Sequence, residues 1–227
     1  MSILLDGLSL GAIYALIALG YTMVYGIAKM LNFAHGDIIM VGAYAILSTL
    51  TMTGNPYVAV VAAIVVCTLV GILVEKLAYK PLRGASPLAV LITAIGVSFF
   101  LQSIAQLAYG AKSRPVSLPS FGNITIGGVQ ISVATVLTLV IGAIIMAALT
   151  FFVKKTRIGR AMQAVSEDRG AAQLMGINVD RIIMITFAIG SALAAFASLF
   201  YLMQIPSTSP TLGSMPGIKA FTAAVIG

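Results

Sequence analysis

Residues 154–181 read KKTRIGRAMQAVSEDRGAAQLMGINVDR and carry roughly half the charges of a chain with only 13 Lys and Arg and 6 Asp and Glu. This polar island is flanked by apolar runs at residues 131–153 and 182–205. A charge at a bilayer centre costs about 2.5–3.5 kcal/mol, so the island reads as a loop joining two membrane helices. The same reading extends outward to further runs at residues 7–28, 38–53, 57–74 and 88–109. Crossing the hydrocarbon core takes about 20 helical residues. The pattern therefore predicts at least six membrane helices. The second and third runs are short and must borrow flanking residues, tilt little or be broken.

Composition supports this class. The chain of 227 residues is 60% hydrophobic and 8% charged, with a mean hydropathy of +1.09. A soluble domain carries about 25% charged residues. The runs are continuous rather than alternating, which excludes a membrane β-barrel. The expected fold is an all-α, polytopic transmembrane helical bundle, a single domain over residues 1–227.

No Lys or Arg precedes the first run, and the run is too long for a signal peptide. Lys29, Lys76, Lys80, Arg83, Lys154, Lys155, Arg157, Arg160, Arg169 and Arg181 fall on one side of the membrane. Lys112, Arg114 and Lys219 fall on the other. This asymmetry predicts an outside N-terminus, a cytoplasmic loop at 154–181 and an extracytoplasmic loop at 110–130. It also accounts for the net charge of +7 without a nucleic-acid partner. The lone Cys67 lies in an apolar run and reads as packing; the lone His35 has Asp37 nearby and no further clustered ligand, so no metal site is expected. The apolar run after Gly213 stops at Gly227 without flanking charges, as if the chain continued into further helices.

Asp6, Asp37, Glu75, Glu167, Asp168 and Asp180 all read as helix-end or loop carboxylates, which argues against an ion-coupled carrier. Neither a nucleophile paired with a base nor a G-x-S-x-G motif supports an intramembrane enzyme, and no phosphate-binding loop is present. The polar island itself reads as a short capped helix over residues 166–175. Ser166 is its N-cap, Glu167 and Asp168 lie in the first turn, Gly176 is the left-handed C′ residue and Ile177 the C″ contact. Asn178 or Asp180 then caps the sixth membrane helix. Such an element is either an ordinary solvated connection or a rigid knob gripped by a cytosolic partner.

The run Gly170-Ala171-Ala172-Gln173-Leu174-Met175-Gly176 resembles the Glu-Ala-Ala-x-x-x-Gly coupling signature of ATP-binding-cassette importer permeases, with glycine at 170 where many members have glutamate. Two stretches narrow the match. Residues 11–20 with Asn32-Phe33-Ala34-His35-Gly36, and residues 164–169 leading to Met175-Gly176-Ile177, are similar to permeases of the high-affinity branched-chain amino acid uptake system. The resemblance implies a transport pathway in the plasma (inner) membrane of a bacterium or archaeon, not an enzyme and without a cofactor. It implies a homologous second permease, two cytosolic ATPases and an extracytoplasmic binding protein as partners, around a chain that also meets membrane lipid. It places coupling to the ATPase at Ser166, Glu167, Asp168, Arg169, Ala171, Ala172 and Gly176. Urea or short-chain amides stay open as substrates.

Three further features have two readings each. Asn32, His35 and Gly36, with Asp37, form either a cytoplasmic turn or a break in a membrane helix that dips toward the pathway. Ser98, Gln102 and Gln106 fall at i, i+4 and i+8 and form a polar stripe, either pathway or interhelical glue. Lys112 and Arg114 either meet a binding protein or are merely solvated. Gly7, Gly11 and Ala15, and Gly190 with Ala194, are expected to be close-packing faces.

Overall fold

The computed structural model describes residues 2–119, 122–126 and 129–226. Residues 120, 121, 127 and 128 of the loop at 110–130 lie outside the described residues, as do Gly227 and the side chain of Asp6. Six helices are long and apolar enough to span a membrane. They are α1 (Ser2–Ala28), α2 (His35–Thr53), α3 (Pro56–Val74), α4 (Pro87–Tyr109), α5 (Val133–Lys155) and α8 (Val179–Gln204). Between α5 and α8 stand two short helices, α6 (Arg157–Glu167) and α7 (Arg169–Leu174). A last helix, α9, covers Ser214–Ile226.

The two short apolar runs meet the length requirement differently. A π-helical turn at Glu75–Tyr79 and a tight turn at Lys80–Leu82 prolong α3, giving a span of 27 residues. The second helix is not prolonged; it is broken from α1. Lys29 takes a left-handed φ of +51°, and the chain then folds back so that α2 begins inside the bundle. Strand elements are minor: β1 (Arg114–Pro115) pairs antiparallel with β4 (Ser207–Thr208), and β2 (Asn123–Ile126) with β3 (Val129–Ser132).

Most of the core lies between α1, α2, α3 and α8. Ser9 meets Gln204 at one level, and at another a methyl on Gly20 would lie 3.1 Å from the Gly190 carbonyl, so α1 and α8 run antiparallel in close contact. The expected packing of Gly190 and Ala194 is present; both are buried. Gly7 and Gly11 depart from expectation. Both are exposed, and a methyl on either would meet nothing within 4 Å, so the close approach on α1 is made at Gly20 instead. Cys67 is buried and its thiol donates to the Ile38 carbonyl at 3.4 Å, a packing role as expected. By contrast α4 and α5 carry many exposed apolar side chains, among them Ile92, Phe99, Phe100, Ile144 and Phe151, the surface a lipid or a partner helix would cover.

Candidate functional site

The beginning of α2 is the polar centre of the bundle. Asn32, His35 and Asp37 are each 1% exposed. His35 packs against the α1–α8 crossing: a methyl on Gly20 would lie 2.8 Å from its Nε2, and Tyr21 meets its ring edge-on. Its Nε2 has no hydrogen-bond partner among the described residues. The Tyr79 hydroxyl, from the π-helical turn, donates to Asn32 Oδ1 at 2.9 Å and holds the folded-back segment in place. Gln102 Nε2 reaches Asp37 Oδ1 at 2.9 Å, Ser98 Oγ at 3.2 Å and Ser214 Oγ at 3.3 Å, so one amide ties α2, α4 and α9 together.

Two helix N-termini meet here. Gly36, in the first turn of α2, lies against the Gly213 carbonyl and Gly217 at the start of α9, so closely that a methyl on Gly36 would sit 2.9 Å from the Gly217 Cα. The residues 205–213 re-enter the bundle from the far end of α8, as residues 29–34 do from the end of α1. Discontinuous helices whose N-terminal ends point inward bring a positive dipole end to membrane depth, where irregular backbone is tolerated when protein covers it.

Of the polar stripe, Ser98 and Gln102 join this centre; Gln106 is exposed and lies apart from it. The carboxylate reading needs correction. Asp37 is a helix-end residue, but that end is inside the bundle, and Glu75 is 2% exposed and paired with Arg83. Sequence reasoning treated Asp37 as a turn former and missed Ser214, because the approach of α9 to α2 joins segments far apart in the chain.

The polar island folds as two helices rather than one. Thr156 caps α6, its hydroxyl accepting from Gly159 N at 3.0 Å, and Met162 and Val165 bury the inner face. Ser166 is therefore not an N-cap: it sits in the last turn of α6 and donates to the Gln163 carbonyl at 2.7 Å. Glu167 ends α6 and is exposed. The cap of α7 is Asp168, which accepts from Gly170 N at 2.7 Å and Ala171 N at 3.0 Å. The extended φ and ψ of Asp168 break the helix there, and its short carboxylate satisfies two orphan donors at once.

The C-terminal end of α7 follows the expected motif. Gly176 has φ +80°, its N–H bonds Gln173 O at 2.9 Å, and Ile177 N–H bonds Ala172 O at 3.0 Å. Asn178 caps α8 by accepting from Arg181 N at 3.0 Å. Arg169 donates to the carbonyl of Ala28 at the end of α1, and Ala172 is buried, so both anchor the knob. Burial and the charge of Arg83 hold the Arg169 guanidinium below its ordinary pKa. The exposed face consists of Ala171, Gln173, Leu174 and Met175; Leu174 is 90% exposed and Met175 82%. Two apolar side chains this exposed on a polar knob are a surface feature that motif reasoning missed.

At the opposite end, Lys112 and Arg114 are exposed, and Arg114 Nε donates to the Tyr109 carbonyl at 2.8 Å. The β1–β4 pairing fixes this loop to the segment after α8.

The structure thus combines a broken-helix polar centre within the bundle and a capped knob with an apolar tip, and comparison with known proteins gives the family. Residues 3–227 match the family described as branched-chain amino acid transport system / permease component. The chain belongs to that family. The permease is 44% identical to the high-affinity branched-chain amino acid transport system permease protein BraD of Pseudomonas aeruginosa, over 99% of this chain and 78% of that protein. It is 44% identical to the corresponding permease protein LivH of Escherichia coli K12, over 98% and 77%. It is 30% identical to the probable LivH permease of Methanocaldococcus jannaschii, over 93% and 69%. No solved structure matches the permease. It is a multi-pass membrane protein.

Proposed function

We propose that the permease carries leucine, isoleucine and valine across the inner membrane as one membrane subunit of an ATP-driven importer. The near full-length 44% identity to two branched-chain amino acid permeases carries this reading. In it, α6 and α7 face the cytoplasm, the N-terminus is outside, and two cytosolic ATPases seat the Leu174–Met175 tip. A homologous second permease covers an apolar face of the bundle, and an extracytoplasmic binding protein meets Lys112 and Arg114. Hydrolysis belongs to the ATPases; the permease supplies the path.

The polar centre is the proposed pathway constriction. Asn32, His35, Gly36, Asp37, Ser98, Gln102 and Ser214 supply the donors and acceptors a zwitterion needs, and the surrounding core is apolar, as an uncharged side chain requires. In this reading Gln106 takes no part.

The test is substrate competition in cells that depend on this permease together with its partner subunits. Labelled leucine should enter and be displaced by isoleucine and valine, whereas urea and acetamide should neither enter nor compete. Uptake of urea in preference to leucine would reject the substrate assignment.

A further inference from the structure

A cavity of about 330 Å³ opens where α1 ends, where the prolonged α3 ends at Leu82, and where α4 begins. Tyr25, Leu82 and Val90 form its apolar side; Lys29, Arg83 and Arg169 form its polar side. The charges around it do not balance. Glu75 pairs with Arg83, and Asp180 with both Arg83 and Lys80. Against these two carboxylates stand Lys29, Lys80, Arg83 and Arg169. Lys29 and Arg169 have no carboxylate partner among the described residues, and Arg169 bonds only a backbone carbonyl.

The hydrogen-bond inventory points the same way. Both terminal nitrogens of Arg83 are engaged, yet its Nε is a buried donor with no acceptor among the described residues. A buried donor of this kind calls for a ligand acceptor, and guanidinium groups converging on one space match a phosphate better than any neutral ligand. The lowered pKa of Arg169, driven by burial and by Arg83, records the same like-charge crowding.

Position selects the source of the phosphate. The cavity lies at the level where three spans terminate, which is headgroup depth, and at the end of the bundle richest in Lys and Arg. Leu88, next in the chain to the lining residue Pro87, and Leu77, in the turn that prolongs α3, are 64% and 72% exposed, apolar surface an acyl chain can cover. We infer that this cavity seats the phosphate of an anionic phospholipid from the leaflet at the basic end of the bundle. The bound headgroup would bridge Lys29 at the end of α1, Arg83 before α4 and Arg169 at the start of α7. A lipid thereby braces the α6–α7 knob against the membrane helices. The inference needs only a membrane-embedded chain and stands whatever the substrate.

The experiment reconstitutes the purified permease in discs of phosphatidylglycerol and phosphatidylcholine, and counts the lipids retained after release by native mass spectrometry. The wild type should keep one phosphatidylglycerol in preference to phosphatidylcholine. Each cation removed should weaken that retention about fivefold. Lys29→Asn is the first variant, because Lys29 is exposed and already in the left-handed region that asparagine tolerates. Arg169→Gln keeps a donor for the Ala28 carbonyl while removing the charge, and Lys154→Asn, in the last turn of α5 and outside the cavity lining, controls for general basicity. Equal retention by the wild type and Lys29→Asn would overturn the proposal, as would an equal loss in Lys154→Asn. Inorganic phosphate in large excess should leave the lipid in place; displacement would make this a free-anion site and reject the lipid assignment.

Discussion

At the level of single residues, Gly176 and Gly36 make different demands on the absence of a side chain. Gly176 stands at φ +80° with nothing within 4 Å of the position a methyl would take. The cost of a substitution there is conformational alone. Gly176→Val should destabilise the knob by about 1–2 kcal/mol, while Gly176→Asn should recover most of the loss, since asparagine visits the left-handed region readily. Co-purification of the ATPases with each variant measures the effect, and equal behaviour of valine and asparagine would contradict it. Gly36 meets backbone, the Gly213 carbonyl and the Gly217 Cα, which cannot rotate away. Gly36→Val should therefore cost about 1–3 kcal/mol of overpacking, or separate α9 from α2. Thermal unfolding in detergent should show a lowered midpoint; an unchanged midpoint would mean the two helix starts are not held together.

Among the elements, the six spans were legible because length and hydropathy decide them, and the observed helices differ from the apolar runs by only a few residues at most ends. Gly176, Ile177 and Asn178 were legible for a similar reason: local backbone chemistry sets them. The N-terminal side of the knob was not. Thr156 and Asp168 compete with Ser166 as caps, and the choice follows from Met162 and Val165 burying one face of α6, a tertiary contact. The broken start of α2 was visible only as an alternative, since Asn, Gly and Asp suit a solvated turn equally well. What places them inside is the packing of His35 at Gly20 and of Gly36 at Gly213, from segments more than 150 residues apart in the second case. The knob offers its own test. Leu174 and Met175 support nothing within the chain, so replacing both with serine should leave the unfolding midpoint unchanged. Losing two apolar anchors of an interface should weaken ATPase association at least tenfold. Normal association would place the ATPase contact elsewhere, and a drop in stability would show that these side chains are not free.

The whole molecule raises the question of driving force. The case against ion coupling cannot rest on an absence of buried carboxylates, because Asp37 and Glu75 are both buried. It rests on their surroundings. Glu75 is neutralised by Arg83 at the basic end, and Asp37 is a lone acid held by the uncharged Gln102. A proton relay needs a chain of titratable groups leading to both faces, and among the described residues no second carboxylate accompanies Asp37 at the polar centre. His35 is nearby in sequence, but its Nε2 faces the α1–α8 crossing without a partner. In the proposed pathway Asp37 is the acid that meets a substrate ammonium, with no second acid beside it among the described residues to pass protons. Proteoliposomes holding this permease, its partner permease, both ATPases and the binding protein should take up leucine only with ATP on the ATPase side, and a protonophore should leave the rate unchanged. Asp37→Asn keeps an oxygen for Gln102 and so should preserve the fold and ATPase binding while reducing leucine uptake about tenfold or more, the loss expected for one charge-assisted contact. Leucine entry without ATP, or a rate that collapsed with the proton gradient alone, would overturn the ATP-driven reading. Undiminished uptake by Asp37→Asn would instead remove only the polar centre from the pathway.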